Sequence, residues 1–375
     1  MKHEFIDYLR CPRDGIQLNL SAINALQDGE IITGQLSCSK GHLYPIVGSI
    51  PRIFNGALRQ FRSQYHSSVN IEKADPDVLP AKIRTTQKSY SNWWTRFDKE
   101  WIYRFNNKAI FLDRTMLSSD LLRNKVILDA GCGNGRFLSV IQEMGARQVV
   151  GMDLGLGVER ACEIQKDLDK CHFLQANLLN PPFAEESFDG AVSIGVLHHT
   201  LNPRQGFFRI AKLVRKGGFF SVFLYQHKPR PYDKQVLTIL RDLKWLFFHE
   251  PIRRMVCCLP HSFIVAFCMG LYGKRLVTNK LNQHLLSRWL GRLLEQITPY
   301  AGYLPNEGLW GNVALNYDSY STRFLYQISL DEALSWFGEV GYNDLVVSPL
   351  PLSITGWRHN EGKSKPLRIT YHHPK

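Results

Sequence analysis

The pattern of apolar and polar residues predicts short buried strands alternating with amphipathic helices through the middle of the chain. Apolar, β-branched runs of strand length lie at 126–128, 148–152, 172–176, 188–194 and 219–225. Helical spacing of apolar residues begins at Phe137 after the first run and recurs at 158–169, 201–214 and 330–340. Strands that alternate with helices predict an α/β fold on a doubly wound parallel sheet.

The first predicted strand ends in Asp129, and glycines follow at every second position, Gly131, Gly133 and Gly135. Glycine permits positive φ and lets a ligand lie against the backbone. A pyrophosphate prefers free N–H groups with no anion nearby, so Asp129 favours a ligand with a cationic end. Asp153 ends the second strand, 20 residues beyond Gly133, where such sheets place the carboxylate that binds ribose hydroxyls.

Polar residues also follow the third and fourth predicted strands. Asn177 ends the third, and an amide can pair with an adenine edge because it both donates and accepts. His198 and His199 follow the fourth, at the crevice where open parallel sheets bind ligands. Histidine titrates near neutral pH, so this pair is a candidate catalytic base. A turn without a chemical role is the alternative.

The segments LDAGCGNGRF, VVGMDL, FLQANLLNPPF, SFDGAVSIGVLHHT and LVRKGGFFSVFLY, taken in order, resemble class I S-adenosylmethionine-dependent methyltransferases. The resemblance covers residues 126–225 and is closest to the ubiquinone and menaquinone biosynthesis type, methyltransferase domain 11-like. It implies a Rossmann-like, seven-stranded mixed sheet whose last strand is antiparallel, with the sixth strand at 343–348 and the seventh at 367–371. It implies S-adenosyl-L-methionine as cofactor, held by Asp129, Gly131, Cys132, Gly133, Gly135, Asp153, Leu154, Asn177, Leu178 and Ile194.

Residues 1–58 are similar to a small zinc-ribbon-like domain found with many methyltransferases. That family pattern is C-P-x-C, then C-x-x-C, then Y-P-I-x-x-G-I-P, and this chain keeps the last part as YPIVGSIP while losing two of the four cysteines. A tetrahedral zinc set remains available from Cys11, Asp14, Cys38 and His42, since zinc accepts Asp oxygen and His nitrogen. A domain that has lost its metal is the alternative.

Residues 59–125 are predicted to form a helical linker that caps the cofactor, and 126–375 the methyltransferase core with a helical insert at 226–329. Tyr90 or Trp94 is the candidate cap, with packing against the sheet as the alternative. The insert contains amphipathic or apolar stretches at 236–248 and 259–273, which suit an in-plane membrane helix, a lid over an apolar substrate, or a buried helical subdomain. Resemblance to a methyltransferase subgroup makes Asp318, Tyr320 and Arg323 acceptor-site candidates, with strand or turn packing as the alternative for the tyrosine.

Composition restricts the class of protein more than it identifies the acceptor. Hydrophobic residues make up 44% and charged residues 21% of the chain, which is ordinary for a soluble globular protein. Eight scattered cysteines favour a reducing, cytoplasmic location, with or without membrane association. The net charge of +13 arises in residues 201–300, which hold 17 Lys and Arg against 4 Asp and Glu. Such basicity favours nucleic acid, an anionic membrane or a phosphorylated substrate, against solvated helix faces as the alternative.

These patterns predict an S-adenosylmethionine-dependent methyltransferase that methylates oxygen, nitrogen or carbon on a small, hydrophobic or lipid-like acceptor. Peripheral membrane contact through the basic insert is part of that hypothesis. The alternative is an RNA methyltransferase acting on tRNA or rRNA. Nucleic acid is the less favoured partner, because the fourth strand leads into GVLHH rather than the NPPY or DPPY of base-amine methyltransferases.

Overall fold

The computed structural model describes residues 1–64, 75, 77–97, 106–165, 170–226, 243, 245–299, 301–349, 352–359 and 366–372. The chain divides into two compact units. The first contains Met1–Thr95, Phe105–Gln226 and Tyr326–Lys375, and the second contains Arg96–Arg104 and His227–Leu325. The second unit overlaps the predicted insert at 226–329.

A mixed β-sheet is the centre of the first unit. Its strands are β1 (Asn19–Gln27), β2 (Glu30–Ser37), β3 (Leu43–Val47), β4 (Ile50–Ile53), β5 (Val126–Ala130), β6 (Gln148–Asp153), β7 (Cys171–Ala176), β8 (Phe188–Ile194), β9 (Val214–Phe223), β10 (Tyr342–Pro349), β11 (Leu352–Arg358) and β12 (Arg368–Tyr371). Their spatial order is β1-β2-β3-β4-β7-β6-β5-β8-β9-β11-β10-β12. The predicted Rossmann-like mixed sheet is confirmed. The predicted count of seven strands is not, since the described residues form twelve.

The antiparallel strand near the carboxyl end lies at a different place in the sequence from the one predicted. Residues 367–371 were expected to be antiparallel, whereas β12 pairs in parallel with β10 at the edge of the sheet. The antiparallel strand is β11, which lies between β9 and β10. It was missed because its glycine and hydroxyl residues do not look like a buried strand. In the folded unit Thr355 donates to the Ser221 hydroxyl at 2.7 Å, so the buried hydroxyl groups satisfy one another.

Helices flank this sheet. They are α1 (Ala57–Gln60), α2 (Ala81–Arg96), α3 (Asn107–Thr115), α4 (Ser119–Leu122), α5 (Leu138–Glu143), α6 (Gly157–Ile164), α7 (Pro203–Ala211) and α12 (Leu330–Glu339), with short 3₁₀ helices at His3–Tyr8 and Leu197–His199. Side-chain caps fix several starts: Asn106, Asn202 and Ser329 each accept a backbone N–H from the first turn of α3, α7 and α12. The predicted helix at 158–169 extends into residues 166–169, which lie outside the described ones.

The N-terminal strands join the core sheet directly. A two-residue turn of Asp28 and Gly29, both at positive φ, connects β1 to β2 and is the geometry expected of a tight hairpin. Strand β4 then pairs in parallel with β7, placing Arg52 opposite Gln175. The N-terminal residues and the core therefore share one continuous sheet. The zinc-ribbon assignment itself stays a prediction.

The second unit is helical. Its helices are α8 (Glu250–Val256), α9 (His261–Gln283), α10 (Arg288–Ile297) and α11 (Gly308–Ser321), preceded by a π-helical turn at Trp245–His249. The predicted amphipathic stretch at 236–248 falls mostly outside the described residues. Among the residues that are described, no helix is both long enough and apolar enough to cross a membrane.

Candidate active site

In the turn after β5, three glycines let the backbone pack closely against neighbouring side chains. Gly131, Gly133 and Gly135 all have positive φ, at 97°, 55° and 79°. A Cβ on Gly131 would lie 2.4 Å from the Val196 side chain, and one on Gly133 would lie 2.3 Å from the ring of Trp94. The sequence needs glycine here for both backbone conformation and close packing. Trp94, one of the two predicted caps, lies directly over this turn.

Asp129 presents a buried carboxyl group beside the glycine turn. Its side chain is 2% exposed, and Oδ2 has no hydrogen-bond partner within the described part of the chain. Burial, with a smaller effect from Asp153, raises the pKa of Asp129 to about 7, against the opposing charge of Arg136. A buried carboxyl group in this state is matched by a cationic ligand group, such as an ammonium.

Asp153, at the end of β6, is held in place by two backbone donors. The Gly133 N–H donates to Oδ2 at 2.9 Å and the Gly155 N–H donates to Oδ1 at 2.7 Å. Burial raises the pKa of Asp153, and these backbone donors counteract that rise. Each carboxylate oxygen has a further lone pair. The two oxygens therefore suit a pair of vicinal hydroxyls.

A relay of side chains supports the residue after Asp153. The Leu154 carbonyl accepts from Gln87 Nε2 at 3.0 Å and from Gln175 Nε2 at 2.8 Å. Gln175 Oε1 in turn accepts from Arg52 Nη1 at 2.9 Å. Arg52 is 1% exposed and also pairs with Glu159 at 2.9 Å. The loop that would hold a ribose is thus braced from the N-terminal strands.

The contacts of the other predicted cofactor residues do not by themselves indicate a ligand. Asn177 Oδ1 accepts the Leu179 N–H at 3.0 Å in a local turn, so pairing with adenine would fall to its amide nitrogen. Cys132, Leu178 and Ile194 are buried apolar neighbours, at 4%, 7% and 8% exposure.

His198 has a geometry that argues against a role as base. It is 0% exposed, its ring stacks on Tyr225 at 3.9 Å, and its Nδ1 accepts the Tyr225 N–H at 3.2 Å. This bond places the proton on Nε2, so Nδ1 is not free to take another. Burial, with a smaller contribution from His199, lowers the pKa of His198 well below its ordinary value. The side chain is a neutral part of the core.

His199 and Tyr90 face each other beside this stack. His199 is 4% exposed, and its ring lies 5.4 Å from Tyr90 and 5.4 Å from Tyr225. The second predicted cap, Tyr90, therefore lies against the histidine turn, while Trp94 lies against the glycine turn. The two aromatic residues of α2 therefore contact the two neighbouring turns, after β8 and after β5.

The acceptor candidates of the second unit lie on α11 or just after it. Tyr320 is 0% exposed, its hydroxyl lies 3.1 Å from His249 Nδ1, and its ring packs on Phe267 at 5.0 Å. These contacts are those of a residue in the core of its unit. Asp318 is half-buried and Arg323 exposed, and their predicted role stays a prediction.

Cys11, Asp14, Cys38 and His42 converge as expected for a metal site. Their four ligand atoms all lie within 4.8 Å of one another. His42 Nδ1 is 3.1 Å from Asp14 Oδ2, and Cys11 Sγ is 3.4 Å from His42 Nδ1. Ligands around a tetrahedral zinc are about 3.3–3.8 Å apart. The donor set, two sulfurs with one nitrogen and one oxygen, fits that ion.

Four residues that position the site were not found from the sequence: Arg52, Asn134, Gln175 and Tyr225. Asn134 is fully buried with both amide atoms unpaired among the described residues, and it sits inside the glycine motif. Its position inside the glycine motif was the signal from which the sequence could have identified it. Arg52 and Gln175 lie more than a hundred residues apart, so only the pairing of β4 with β7 brings them together.

Comparison with known proteins gives a family for part of the chain. Residues 128–222 match the family model described as methyltransferase domain. The tRNA (carboxymethyluridine(34)-5-O)-methyltransferase of Arabidopsis thaliana is 28% identical, over 49% of this chain and 42% of the relative. The tRNA U34 carboxymethyltransferase of Campylobacter hominis is 28% identical, over 40% of this chain and 53% of the relative. The matches thus span about half of these relatives' lengths or less.

Among solved structures, an S-adenosylmethionine-dependent methyltransferase from Mesorhizobium loti is 28% identical over 30% of this chain and 50% of its own, with a TM-score of 0.28. The family match coincides with the five quoted motifs and with β5 to β9. The ubiquinone-type and zinc-ribbon assignments stay predictions. Residues 128–222 are a methyltransferase domain.

Proposed function

We propose that this chain is an S-adenosylmethionine-dependent methyltransferase whose acceptor is uridine 34 of a tRNA. The observation that carries the cofactor is Asp129, a buried carboxyl group whose Oδ2 has no hydrogen-bond partner among the described residues, beside the closely packed glycine turn. The amino group of S-adenosylmethionine supplies the missing cation. The names of the two tRNA-modifying relatives support the acceptor.

The expectation of a small, hydrophobic or lipid-like acceptor is wrong, and so is the ranking of nucleic acid below it. Relatives from plants and bacteria that match this chain are named for tRNA. The error came from treating the GVLHH turn as evidence against RNA, although that turn excludes only the base-amine chemistry of NPPY enzymes. The expected membrane contact of the insert is withdrawn for the same reason. The basicity of residues 227–325, with 13 Lys and Arg against 6 Asp and Glu, suits a phosphate backbone.

The proposed roles of the cofactor residues follow from their contacts. Asp129 binds the amino group, Asp153 accepts the two ribose hydroxyls, and the Asn177 amide meets the adenine. Trp94, which packs on Gly133, borders the cofactor at the glycine turn. The methyl group is already activated by the sulfonium, so the protein mainly aligns the acceptor and excludes water.

Labelled methyl transfer tests this function directly. The full chain is incubated with methyl-labelled S-adenosylmethionine and either total tRNA, RNA depleted of tRNA, or a metabolite extract. We expect label in tRNA alone, with binding that weakens steeply as salt increases, and a methylated nucleoside at position 34 on digestion. Label confined to the metabolite extract, or to RNA depleted of tRNA, would reject a tRNA acceptor. Asp129→Asn serves as the inactive control.

We also propose that Cys11, Asp14, Cys38 and His42 hold a structural zinc ion. The ion would cross-link the loops before β1 and after β2, which suits a small domain with a limited core. Metal analysis of the purified full chain should find about one zinc per chain, and Cys38→Ala should lose it. Cys258→Ser, at an exposed cysteine of the second unit, should keep it. Zinc-free protein that melts at the same temperature after zinc addition would contradict the proposal.

A further inference from the structure

Helix α9 (His261–Gln283) turns an apolar stripe to the solvent along most of its length. Phe263, Ala266, Gly270, Gly273 and Val277 recur at the three- and four-residue spacing that places them on one face of the helix, and all five are exposed. A Cβ built on Gly270 or on Gly273 would meet no atom within 4 Å. The middle of this α9 stripe is therefore uncovered in the described part of the chain.

The exposed apolar surface is large when the neighbouring helix is included. Helix α10 packs beside α9, to which it is joined by an ion pair between Arg275 and Glu295. Eight large apolar side chains on these two helices and their connection are 39% to 90% exposed: Phe263, Met269, Leu276, Val277, Leu285, Leu286, Trp289 and Leu293. At about 150–250 Å² for a whole large side chain, they expose roughly 700–1,200 Å².

This area exceeds what a monomeric protein ordinarily leaves in water. The largest apolar patch on a typical monomer is about 300–600 Å², whereas one partner contributes about 800 Å² to a stable protein interface. The two helices thus expose enough apolar surface for one half of such an interface.

The composition of the α9 stripe indicates an uncharged apolar helix as its partner. Residues 261–273 contain no Asp, Glu, Lys or Arg, so this part of α9 offers no cation to a phosphate backbone. Glycine is unfavourable inside a helix relative to alanine, and no neighbour within the described chain requires the small size of Gly270 or Gly273. A second helix that packs on the stripe would require it, because small residues let two helix axes approach closely.

The α9 stripe has nearly the same pattern in both chain directions. Phe263 and Val277 each lie seven residues from Gly270, while Ala266 and Gly273 lie four and three residues from it. Two copies of α9 that pack antiparallel about a two-fold axis at Gly270 would therefore place large residues at both ends and small residues in the middle. A two-fold interface needs this kind of self-complementary surface.

We propose that the chain forms a two-fold symmetric dimer in which the α9 stripe packs antiparallel against the α9 stripe of a second copy. Phe263 then contacts the partner's Val277, and the two Gly270 residues meet at the axis. The exposed side chains of α10 extend the buried surface beside this contact. The dimer is independent of the proposed methyl acceptor, since it follows from the second unit alone.

Sedimentation velocity of the full chain over a wide range of micromolar concentrations tests the dimer. The wild-type chain should sediment at twice the mass of one chain. The double variant Gly270→Ala with Gly273→Ala should raise the dimer dissociation constant by about tenfold or more. Its monomer should melt at the same or a higher temperature, because alanine favours a helix and the space around both positions is open. Loss of the dimer then cannot be attributed to unfolding.

Two further variants test the position and the orientation of the contact. Val277→Glu should abolish the dimer by burying a charge, whereas Leu26→Glu, at an exposed leucine of the first unit, should leave it intact. Gly270→Cys, combined with Cys258→Ser to remove an exposed native thiol, should form a disulfide with its own copy on mild oxidation. Absence of that disulfide in a chain that still dimerises would overturn the antiparallel packing about Gly270.

Other results would reject the proposal as a whole. A wild-type chain that sediments as a monomer at every concentration would overturn it, and so would a dimer that withstands both the glycine double variant and Val277→Glu. Binding of a monomeric wild-type chain to phosphatidylcholine vesicles or to total tRNA, lost in Val277→Glu, would assign the stripe to a membrane or to RNA instead. Because these measurements involve no methyl transfer, their outcome leaves the proposed function untouched.

Discussion

The turns after β5 and β8 follow adjacent strands at the same end of the sheet. One is shaped mainly by backbone and the other mainly by packed side chains. At the β5 turn the backbone is closely packed, and a buried acid, Asp129, has no hydrogen-bond partner for Oδ2 among the described residues. At the β8 turn side chains predominate, with the ring of His198 stacked on Tyr225. The first turn therefore suits a ligand with a cationic end, whereas the second presents neutral aromatic rings.

Gly133→Ala should cause the largest loss of cofactor affinity, because the substitution lies in the cofactor half of the site. The new methyl group would require a positive φ and would overlap the Trp94 ring, 2.3 Å away. We expect cofactor affinity to fall by about 100-fold, which corresponds to about 2.7 kcal/mol. Isothermal titration with S-adenosylmethionine measures it. Gly341→Ala has a similarly positive φ but open space around it, so equal losses in both variants would attribute the effect to backbone strain alone.

The next largest effect should be a pH dependence of cofactor affinity, which arises from Asp129 in the cofactor half. With a pKa of about 7 in the empty site, Asp129 is mostly protonated below that pH and mostly ionised above it. Since the cationic cofactor needs the carboxylate, affinity should fall about tenfold per pH unit below 7, or about 30-fold at pH 5.5. Asp153 and Arg136 are the charged groups that act on it. Asp129→Asn should bind weakly and without this slope, whereas the exposed Asp120→Asn should behave as wild type. A flat wild-type curve would contradict the assignment.

The β5 half could be predicted from sequence because its constraints are local. A strand, an acid and three glycines within ten residues specify the backbone, and the 20-residue spacing to Asp153 follows from one strand–helix–strand unit. The β8 half depends on residues from distant segments. Tyr225 comes from the segment just after β9, and Tyr90 from α2. No spacing rule connects these positions, so sequence found the histidines without their surroundings.

The strands of the sheet show the same limit of prediction from the sequence. Strands β5 to β8 are long apolar runs and were placed within a residue or two of their observed bounds. Strand β11 buries Ser353 and Thr355, and the Thr355 hydroxyl is tolerated because Ser221, from a distant segment, satisfies it. Such a strand has no hydrophobic pattern of its own. Pattern therefore predicts elements that bury apolar faces, and fails where burial depends on a polar partner far along the chain.

His199→Gln tests whether the β8 half acts by proton transfer or by shape. If the histidine turn supplies only packing around the acceptor, we expect turnover to fall by no more than about tenfold, below the 10²–10⁴ typical of a lost base. The pH dependence of turnover should be unchanged. A loss of about a thousandfold, with one limb of the pH profile removed, would restore the hypothesis of a catalytic base and weaken the contrast between the two turns.

Arg52→Met should give the smallest effect, because it acts on the cofactor half only through neighbours. Removing the guanidinium leaves Gln175 Oε1 without its 2.9 Å donor, and an unsatisfied buried acceptor costs about 1–3 kcal/mol of stability. Glu159, 41% exposed on its side chain, can be solvated by water and adds little. Gln175 would then hold the Leu154 carbonyl less firmly, and we expect cofactor affinity to fall about fivefold, equivalent to about 1 kcal/mol. Thermal melting with cofactor titration measures both quantities, with the exposed Arg84→Met as control. Lower stability at unchanged cofactor affinity would show that the N-terminal strands support the sheet without bracing the ribose loop.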